Sequence, residues 1–339
     1  MKKISELLLQ WYASNQRDLP WRRRKSAYEI WVSEIMLQQT RVETVIPYYE
    51  RFLAELPDLS ALAEVSEERL LKLWEGLGYY SRVRNMQKAA RVCMEQYGGQ
   101  LPKTAAELEK LPGIGHYTAG AIASIAYGEQ VCAVDGNLGR IYARLFLLED
   151  DMTTPAGRKK VEKLIRQDMA EDMGSMNQAL MDIGAGICLP GEKARCMLCP
   201  LQTHCQAFKE KRVADFPIRK KQATRKKEEK TVLVCIHDNQ ILLHRRPEQG
   251  LLAGMIEFPL LDGLLSEETF PGCVPLGKHR HIFTHLEWTL VGYCITEVPK
   301  NVPDNCFWAP LDTVLEIHSF PSAFKPYIAW LRTWINREK

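Results

Sequence analysis

The sequence predicts two domains of different fold class. A mostly α domain is expected over residues 1–215, a basic linker over residues 216–230, and an α+β domain over residues 231–339. Length favours two domains, because a single hydrophobic core stops growing near roughly 250–300 residues and this chain has 339. Apolar residues recur at helical spacing as far as Leu201, whereas short apolar runs typical of strands begin after the linker.

The composition is that of an ordinary globular protein and excludes several other classes. Apolar residues make up 46% of the chain and charged residues 26%, so neither a disordered nor a fibrous protein is expected. The formal net charge of +3 is too small to indicate a nucleic-acid partner by itself. No stretch approaches the ~20 apolar residues of a membrane span, and charged first residues break any signal-peptide core. We therefore expect no membrane partner and an intracellular, cytoplasmic location.

The N-terminal domain is predicted to consist of helices that end at Pro and Gly. Apolar residues at three-and-four spacing predict a helix over residues 28–37. The same pattern predicts further helices near residues 67–74, 84–96, 117–127 and 158–169. Little in this region alternates at period two, so a sheet is not expected there.

The composition changes at the linker and again after it. Over residues 216–230 Lys and Arg outnumber Glu seven to two, which is typical of a solvated linker. Residues 231–236 and 241–243 then have the pattern of two strands around a tight turn. Residues 283–295 contain further strand-like runs, and residues 324–335 have the pattern of a closing helix. The C-terminal domain is therefore expected to be α+β.

Four of the ten cysteines lie within 18 residues and form the strongest metal-binding pattern in the sequence. They are Cys188, Cys196, Cys199 and Cys205, so one C-x2-C pair is flanked by a wider gap on each side. Four thiolates can hold either a tetrahedral zinc ion or a [4Fe-4S] cluster. Zinc modules more often pair two C-x2-C units. The spacing therefore favours one [4Fe-4S] cluster per chain, and zinc stays open as the alternative.

Two turn sequences indicate further chemistry. LPGIGHYTA at residues 111–119 ends one helix and starts another at once, and Gly113 and Gly115 leave amide N–H groups open at a helix N-terminus. Such a terminus suits an anion, although an ordinary helix-turn-helix corner is an equal alternative. Asp135, two residues ahead of Asn137, has the pattern of either a helix N-cap or a functional carboxylate.

Longer motifs carry a resemblance to a known family. The hairpin motif, the VDGN sequence after it and the four-cysteine loop resemble the helix-hairpin-helix DNA glycosylases with a [4Fe-4S] loop, over about residues 5–210. WVSEIMLQQT at residues 31–40 and LGYYSR at residues 77–82 are more specific, and they resemble adenine DNA glycosylases of the MutY type. GLLAGMIEFP at residues 250–259 resembles the Nudix-like domain that this type carries at its C-terminus.

The resemblance implies both a fold and a reaction. The implied fold is a mostly α helix-hairpin-helix glycosylase domain with an iron–sulfur loop at residues 188–205, followed by an α+β Nudix-like domain. The implied enzyme is an adenine DNA N-glycosylase of base excision repair, which acts on adenine opposite 8-oxoguanine or guanine. Endonuclease III, a relative that also cuts the strand, needs a lysine on the second hairpin helix to form an imine. Tyr117 stands at that position, so little or no strand cleavage is expected.

Two carboxylates and two supporting side chains are predicted to carry the catalysis. Release of the base needs a proton donor and a negative charge beside an oxocarbenium-like sugar. Glu34 lies among apolar helical neighbours, which favours a protonated carboxyl able to act as the acid; a Glu paired with an Arg at a helix edge is the alternative. Asp135, at a helix start, is expected to stay ionised and to stabilise the sugar cation. The resemblance allows Asp135 to attack the sugar and adds Tyr117 and Asn137 as supporting groups.

The target base must leave the duplex before it can be released, so DNA contacts are predicted as well. Leu77 and Tyr79 are the candidates to fill the gap, whereas Tyr80 is expected in the core. The resemblance implies an adenine pocket with Arg22 and Gln178, DNA contacts by Leu37, Gln39, Thr40, Gly113 and Gly115, and an 8-oxoguanine-reading loop of Phe283, Thr284 and His285. A solvated helix end would explain Gln39 and Thr40 almost as well.

Two features depart from the pattern of the glycosylase family, and a third departs from the pattern of Nudix hydrolases. The reading loop has Thr284 where serine is common; threonine keeps the hydroxyl that distinguishes the N7–H of 8-oxoguanine from N7 of guanine, but its methyl group restricts χ1. Seven residues, rather than the usual six, separate Cys188 from Cys196. The Arg and paired Glu of a Nudix hydrolase helix are missing after Gly254, so pyrophosphate hydrolysis is disfavoured.

Three other functions stay open on the sequence. They are a glycosylase of the same fold that acts on thymine or oxidised pyrimidines, a non-catalytic DNA-binding protein with a structural metal, and a Nudix pyrophosphatase. The expected partner is double-stranded DNA with an A:8-oxoguanine or A:G mispair. We expect a monomer to bind it with a salt-dependent affinity.

Overall fold

The chain divides into two compact units. The computed structural model describes residues 3–24, 26–218, 224–297 and 302–338. One unit holds Met1–Glu64 and Arg84–Lys221, and the other holds Val65–Val83 and Gln222–Lys339. The second unit thus includes a segment, Val65–Val83, that the sequence pattern assigns to the N-terminal domain. The domain limits at residues 215 and 231 remain a prediction.

Helices predominate in the first unit, as the sequence predicts. Within the described residues, the helices of the whole chain are, in order, α1 (Ile4–Asn15), α2 (Ala27–Leu37), α3 (Val42–Glu55), α4 (Leu59–Glu64), α5 (Glu67–Leu73), α6 (Ser81–Gln96), α7 (Ala105–Leu108), α8 (His116–Tyr127), α9 (Gly136–Phe146), α10 (Pro155–Arg166), α11 (Met173–Gly186), α12 (Gln206–Lys209), α13 (Val314–Ile317) and α14 (Lys325–Glu338). Each helix predicted from apolar spacing is present, with its ends shifted by a few residues at most. α10 begins earlier than predicted, because Thr154 caps it and Pro155 is its first residue.

The core of the first unit forms around α8, α9 and α11. α2 packs against α8, and α11 packs against α1, α8 and α9. Two glycines allow this close approach. A Cβ at Gly120 would lie 2.6 Å from the backbone oxygen of Cys132, and a Cβ at Gly184 would lie 2.6 Å from Cβ of Asn137. Gly184 therefore sets how closely α11 approaches the start of α9.

The second unit is built on a mixed sheet. Within the described residues its strands are β1 (Lys226–His237), β2 (Gln240–Arg245), β3 (Ile256–Glu257), β4 (Leu260–Asp262), β5 (Val274–Ile282), β6 (Leu286–Ile295) and β7 (Cys306–Pro310). The order is β3-β2-β1-β6-β5, with β4 also paired to β1 and β7 to β2. β1 and β6 run parallel and the other pairs antiparallel. The predicted hairpin is confirmed, since Ile236 pairs with Ile241 around Asp238 and Asn239, both with positive φ.

Both ends of the predicted linker belong to the folded units. Phe216 is 1% exposed in the core of the first unit, and its carbonyl accepts a hydrogen bond from Arg144. β1 already begins at Lys226, which pairs with Leu286 of β6. The charge pattern misleads here because the first residues of β1 are mostly exposed, so Lys and Glu are compatible with a strand. Residues 219–223 of the predicted linker lie outside the described residues.

The end of the chain also differs in detail from the sequence pattern. The strand-like run at 283–295 begins with a three-residue loop between β5 and β6, so the strand itself starts at Leu286. The closing helix is present as α14. No helix among the described residues is both long and apolar enough to cross a bilayer.

Candidate active site

Glu34 lies in α2, and its carboxyl group is buried. The residue is 6% exposed, and its Oε2 accepts a hydrogen bond from the hydroxyl of Tyr117 at 2.7 Å. Burial raises the pKa of Glu34 to about 7, against the opposing effect of the Tyr117 hydrogen bond. The predicted burial of this side chain is therefore confirmed and its raised pKa favours the protonated form, whereas its role as the acid stays a prediction. Its hydrogen-bond partner is a phenol rather than the arginine of the alternative reading.

Asp135 is the N-cap of α9 and also lines a pocket, so the N-cap interpretation is confirmed and the functional carboxylate stays a prediction. Its Oδ1 accepts hydrogen bonds from the backbone N–H groups of Asn137 and Leu138, each at 2.8 Å. Its Oδ2 accepts from Nδ2 of Asn137 at 2.9 Å. Desolvation nevertheless raises the pKa of Asp135, and these donors oppose the rise only in part. The cost of removing the carboxylate from water is thus larger than the effect of these donors, and the expectation that Asp135 stays ionised remains a prediction.

A pocket of about 540 Å³ in the first unit brings the predicted catalytic groups together. Its walls include the catalytic candidates Glu34, Asp135, Tyr117 and Asn137, the adenine-pocket candidates Arg22 and Gln178, and the DNA-contact candidates Leu37 and Thr40. Gln39 is exposed, has a φ of 59°, and is not among the lining residues. Arg22 and Gln178 are 156 positions apart in the chain. The packing of α2, α8, α9 and α11 brings such distant residues into one pocket.

An ion-pair cluster that the sequence analysis missed holds Arg22 at the wall of this pocket. Asp182 of α11 is 4% exposed, and its carboxylate accepts hydrogen bonds from Nη1 and Nη2 of Arg22 at 2.6 and 3.0 Å. Nε of Arg17 donates to the same carboxylate at 2.6 Å. Two guanidinium groups thus share one buried carboxylate, which fixes the position of Arg22. The available signal was spacing, because Asp182 follows Gln178 by one helical turn and lies on the same face of α11.

Arg140 connects Asn137 to the cysteine loop. This side chain is 6% exposed, and its Nη2 donates to Oδ1 of Asn137 at 2.9 Å and to the carbonyl of Gly184 at 2.7 Å. Its Nε donates to the carbonyl of Cys188 at 2.7 Å. Sequence reasoning missed Arg140, although it follows Asn137 at the helical three-residue spacing. One guanidinium therefore orients the amide beside Asp135 and the backbone of the first loop cysteine.

The four loop cysteines surround one small pocket of about 30 Å³. Cys188 follows α11, Cys196 and Cys199 bracket a 3₁₀ turn, and Cys205 precedes α12. The additional residue between the first two cysteines is accommodated, since all four side chains still line the same pocket. Within the part of the chain that the structure describes, no three His, Cys, Asp or Glu are grouped to hold a single metal ion.

The surroundings of these thiols fit a cationic group. Burial raises the pKa of Cys199 to about 12, so this thiol is neutral unless a positive charge compensates the thiolate. Arg144, which is 1% exposed, donates through Nη1 to Sγ of Cys188 at 3.3 Å. Four converging sulfur ligands with a buried arginine at their edge match the donor set of an iron–sulfur cluster.

The predicted hairpin lies between α7 and α8, and its two glycines play different parts. Gly113 has a φ of 77°, and a Cβ there would lie 2.6 Å from Cβ of Asn85, so only glycine fits. Gly115 is the N-cap of α8 with a φ of −91°, a value open to any residue. Unlike Gly113, Gly115 therefore does not need the backbone freedom of glycine. Its missing side chain instead leaves open space at the start of α8, where an anion can approach.

The two candidates for filling the gap left by a flipped base differ in exposure. Tyr79 is 48% exposed, whereas Leu77 is 6% exposed. The structure thus presents Tyr79 at the surface, whereas Leu77 is buried in a turn between Gly76 and Gly78, which have φ of 103° and 68°. The DNA contact expected of each stays a prediction. Tyr80 is 5% exposed, so its predicted place in the core is confirmed.

The predicted reading loop connects β5 to β6 in the second unit. Thr284 and His285 are exposed, and Phe283 is half-buried. The ring of Phe283 lies edge-on to His281 and Trp288, with ring centroids 4.5 and 5.0 Å away. The rings of His281 and Trp288 therefore pack against Phe283, whereas Thr284 and His285 are exposed to solvent.

The carboxylates of the second unit are arranged differently from those of a Nudix hydrolase. Glu257 is 1% exposed and accepts hydrogen bonds at 2.9 and 3.0 Å from Nη1 of Arg246. Glu267 and Glu268 are exposed on a three-residue 3₁₀ turn rather than on a helix. Glu257, the first carboxylate after Gly254, is thus engaged in an internal ion pair, and the absence of pyrophosphate hydrolysis stays a prediction.

Comparison with known proteins decides the family. Residues 32–167 match the model of the HhH-GPD superfamily of base excision DNA repair proteins, and residues 231–330 match the NUDIX domain. The chain is 36% identical to the adenine DNA glycosylase of Mus musculus, over 85% of this chain and 69% of that protein. The chain belongs to the adenine DNA glycosylase family. A family member from Buchnera aphidicola is 37% identical, over 76% of this chain and 75% of that protein.

Comparison with solved structures supports the predicted fold. A thermostable thymine-DNA glycosylase superposes with a TM-score of 0.55 at 26% identity, over 61% of this chain and 95% of that one. A trapped endonuclease III–DNA covalent intermediate gives a TM-score of 0.52 at 23% identity, over 61% and 94%, and this supports the fold alone. The predicted fold class and the predicted enzyme, a DNA N-glycosylase of base excision repair, are confirmed. Members of the superfamily commonly carry a [4Fe-4S] cluster.

Proposed function

We propose that this adenine DNA glycosylase releases adenine from A:8-oxoguanine and A:G mispairs in double-stranded DNA. The observation that carries the proposal is one pocket that holds Glu34, with a pKa of about 7, together with the helix-capping carboxylate of Asp135. This pair supplies the proton donor and the negative charge that the departure of a base requires. We infer that the enzyme works as a monomer on DNA inside the cell.

The proposed reaction begins with protonation of the base. Glu34 transfers its proton to N7 of the flipped adenine, and the electron pair of the C1′–N9 bond leaves with the base as neutral adenine. Positive charge develops on C1′ and the ring oxygen, where the Asp135 carboxylate stabilises it or bonds to C1′ transiently. Water then adds to C1′ and gives up a proton to the Glu34 carboxylate, which restores the acid.

The remaining pocket residues orient these groups. Tyr117 holds the Glu34 carboxyl through its hydroxyl at 2.7 Å, and Asn137 holds Oδ2 of Asp135 through its amide at 2.9 Å. We assign Arg22 and Gln178 to the flipped adenine, because both line the same pocket. A phenol cannot form an imine with the sugar, so Tyr117 leaves the reaction hydrolytic, without cutting of the strand.

The DNA contacts are assigned from exposure and position. Tyr79 fills the gap left by adenine, and the loop of Phe283, Thr284 and His285 reads the opposite base. The start of α8 at Gly115 takes a backbone phosphate, in keeping with its open helix N-terminus. Gln39 and Thr40, at the end of α2, complete the contacts to the opposite strand.

We further propose that Cys188, Cys196, Cys199 and Cys205 hold one [4Fe-4S] cluster. When bound, this group supplies positive charge to the thiolates and a covalent tie across the loop. Arg144 stabilises the ligand set through its hydrogen bond to Sγ of Cys188. Arg140 fixes the carbonyl of the same cysteine, so the loop is held against α9.

The test is base excision under enzyme excess on four duplexes: A opposite 8-oxoguanine, A opposite G, A opposite T, and thymine glycol opposite A. We expect fast release from the first, slower release from the second, and strand breaks only after alkali. Glu34→Gln and Asp135→Asn should still bind the first duplex but release no adenine. Excision of thymine glycol, breaks without alkali, or trapping by borohydride would overturn the proposal in favour of a pyrimidine-specific, strand-cutting relative.

A further inference from the structure

Four arginines line the pocket of the first unit, namely Arg17, Arg22, Arg41 and Arg140. Arg17 and Arg22 share the carboxylate of Asp182. Arg140 donates to the side chain of Asn137 and to two backbone carbonyls. Within the part of the chain that the structure describes, the side chain of Arg41 has no hydrogen bond and no ion pair. All donors of this guanidinium are therefore available to a ligand.

Arg41 lies at the outer end of this pocket, because it is exposed whereas Glu34 is buried. It is also the N-cap residue of α3. Its carbonyl accepts hydrogen bonds from the backbone N–H groups of Thr44 and Val45, each at 3.1 Å. Its side chain makes no capping hydrogen bond. The backbone at Arg41 is thus fixed by α3, while the guanidinium remains available at the mouth of the pocket.

The other charges of the pocket create a need for such a cation. A nucleotide that rotates out of the duplex carries a phosphate on each side of its sugar, and these phosphates stay at the mouth when the base enters. Asp135 and Glu43 line the same pocket, and ionised carboxylates repel phosphates. An arginine can offset this repulsion, because its planar guanidinium binds two phosphate oxygens at once. Arg41 has both the position and the available donors for this contact.

We propose that Arg41 binds a phosphate next to the flipped adenosine and thereby retains this nucleotide in the pocket. The inference rests on the proposed function, in which adenine enters the pocket of Glu34. It assigns to Arg41 a contact that exists only when the nucleotide is flipped, unlike a contact with the phosphates of the undistorted duplex. Arg41 therefore stabilises the flipped state and does not simply raise the affinity for DNA.

The first test measures Kd for a duplex with 2′-fluoroadenosine opposite 8-oxoguanine. The fluorine disfavours positive charge at C1′, so the base is not released during the measurement. Arg41→Gln should weaken binding about tenfold, the lower end of what a hydrogen bond to a charged group contributes. Arg51→Gln is the matched control, because Arg51 is an exposed arginine about 15 Å further along α3 that lies over the ring of Tyr48. On a fully paired duplex the two variants should bind alike.

Neutral phosphates test the contact itself. In two further duplexes, an uncharged methylphosphonate replaces the phosphate on the 5′ side or on the 3′ side of the 2′-fluoroadenosine. The wild type should bind one of them about tenfold more weakly, and Arg41→Gln should lose no further affinity on that duplex, because both changes remove the same contact. Additive effects of the variant and the methylphosphonate on both duplexes would overturn the inference.

The fluorescence of 2-aminopurine in place of the target adenine reports whether the base has left the stack. At saturating enzyme, Arg41→Gln should give lower fluorescence than the wild type and Arg51→Gln. Equal fluorescence, or an equal loss of affinity for the fully paired duplex, would make Arg41 an ordinary DNA contact and overturn the inference. If the wild type releases no adenine opposite 8-oxoguanine, the proposed function itself fails; normal release by the wild type with an unchanged Kd in Arg41→Gln rejects this inference alone. Circular dichroism checks that each variant is folded.

Discussion

Replacing the buried carboxyl of Glu34 by an amide should abolish adenine release and at the same time stabilise the folded protein above neutral pH. The pKa of Glu34 is about 7 in the folded protein, against an ordinary value of 4.5. A raised pKa means that the folded state keeps a proton that the unfolded state has lost. Glu34 therefore lowers the free energy of unfolding progressively as the pH rises from about 4.5 to 7, and the loss is complete above that range.

The size of the effect follows from the same two pKa values. Each pKa unit corresponds to about 1.4 kcal/mol, so the full difference is about 3 kcal/mol. Glu34→Gln carries no ionisable group, and its amide oxygen can still accept from Tyr117. The variant should match the wild type in stability at pH 4 and exceed it by about 3 kcal/mol at pH 8.

Urea denaturation at both pH values measures this difference. Glu95→Gln, on an exposed part of α6, is the control, because this replacement moves no buried charge. We expect Glu34→Gln to gain stability only at the higher pH, while adenine release from the A:8-oxoguanine duplex is lost at both. Equal stability of Glu34→Gln and wild type at pH 8 would refute the reasoning, since the carboxyl would then be ionised without cost.

Three further predictions follow from the pocket and the cysteine loop. Tyr117→Phe removes a hydrogen bond that lowers the pKa of Glu34, so the alkaline limb of the single-turnover rate should move up by about one pH unit, whereas a limb that stays in place contradicts the role of the phenol. Asp182→Asn leaves the guanidinium of Arg22 without its buried counter-charge. We expect the free energy of unfolding, measured by urea denaturation, to fall by about 3 kcal/mol and adenine release to become slower. Wild-type values for both would show that other groups hold Arg22. Cys199→Ser should lower the iron content of the purified protein and its visible absorbance, and full iron loading would remove Cys199 from the ligand set.

Local patterns in the sequence predicted the elements and the chemistry that depends on immediate neighbours. The apolar residues three and four positions from Glu34 correctly indicated burial and a raised pKa, because in a helix those neighbours pack around the side chain. Asp135 shows the limit of this approach. Its donors are local and could be anticipated from the sequence, but its desolvation depends on helices that pack against it from elsewhere, so the rise of its pKa could not be predicted.

Long-range pairings account for the rest of what the sequence did not reveal. Asp182 binds Arg22 and Arg140 binds Cys188, both far away in the chain. The sequence indicated these residues only through their helical spacing to Gln178 and Asn137. The packing of Val65–Val83 with the second unit has no local signature, because α5 has an ordinary helical pattern. The hydrogen bonds that join this segment to the region around α13, such as the one from Nζ of Lys72 to the carbonyl of Leu315, were therefore beyond prediction from the sequence.

The close approach of α11 to the start of α9 has a consequence for how variants of this enzyme should be interpreted. An alanine at Gly184 would place a methyl group 2.6 Å from Cβ of Asn137 and so displace the amide that holds Asp135. The glycine itself has no side chain to offer the substrate, although it lines the pocket. A substitution at Gly184 would nonetheless lower the rate of adenine release, as the loss of a catalytic side chain would. The absence of a side chain at Gly184 is therefore required for the geometry of the active site.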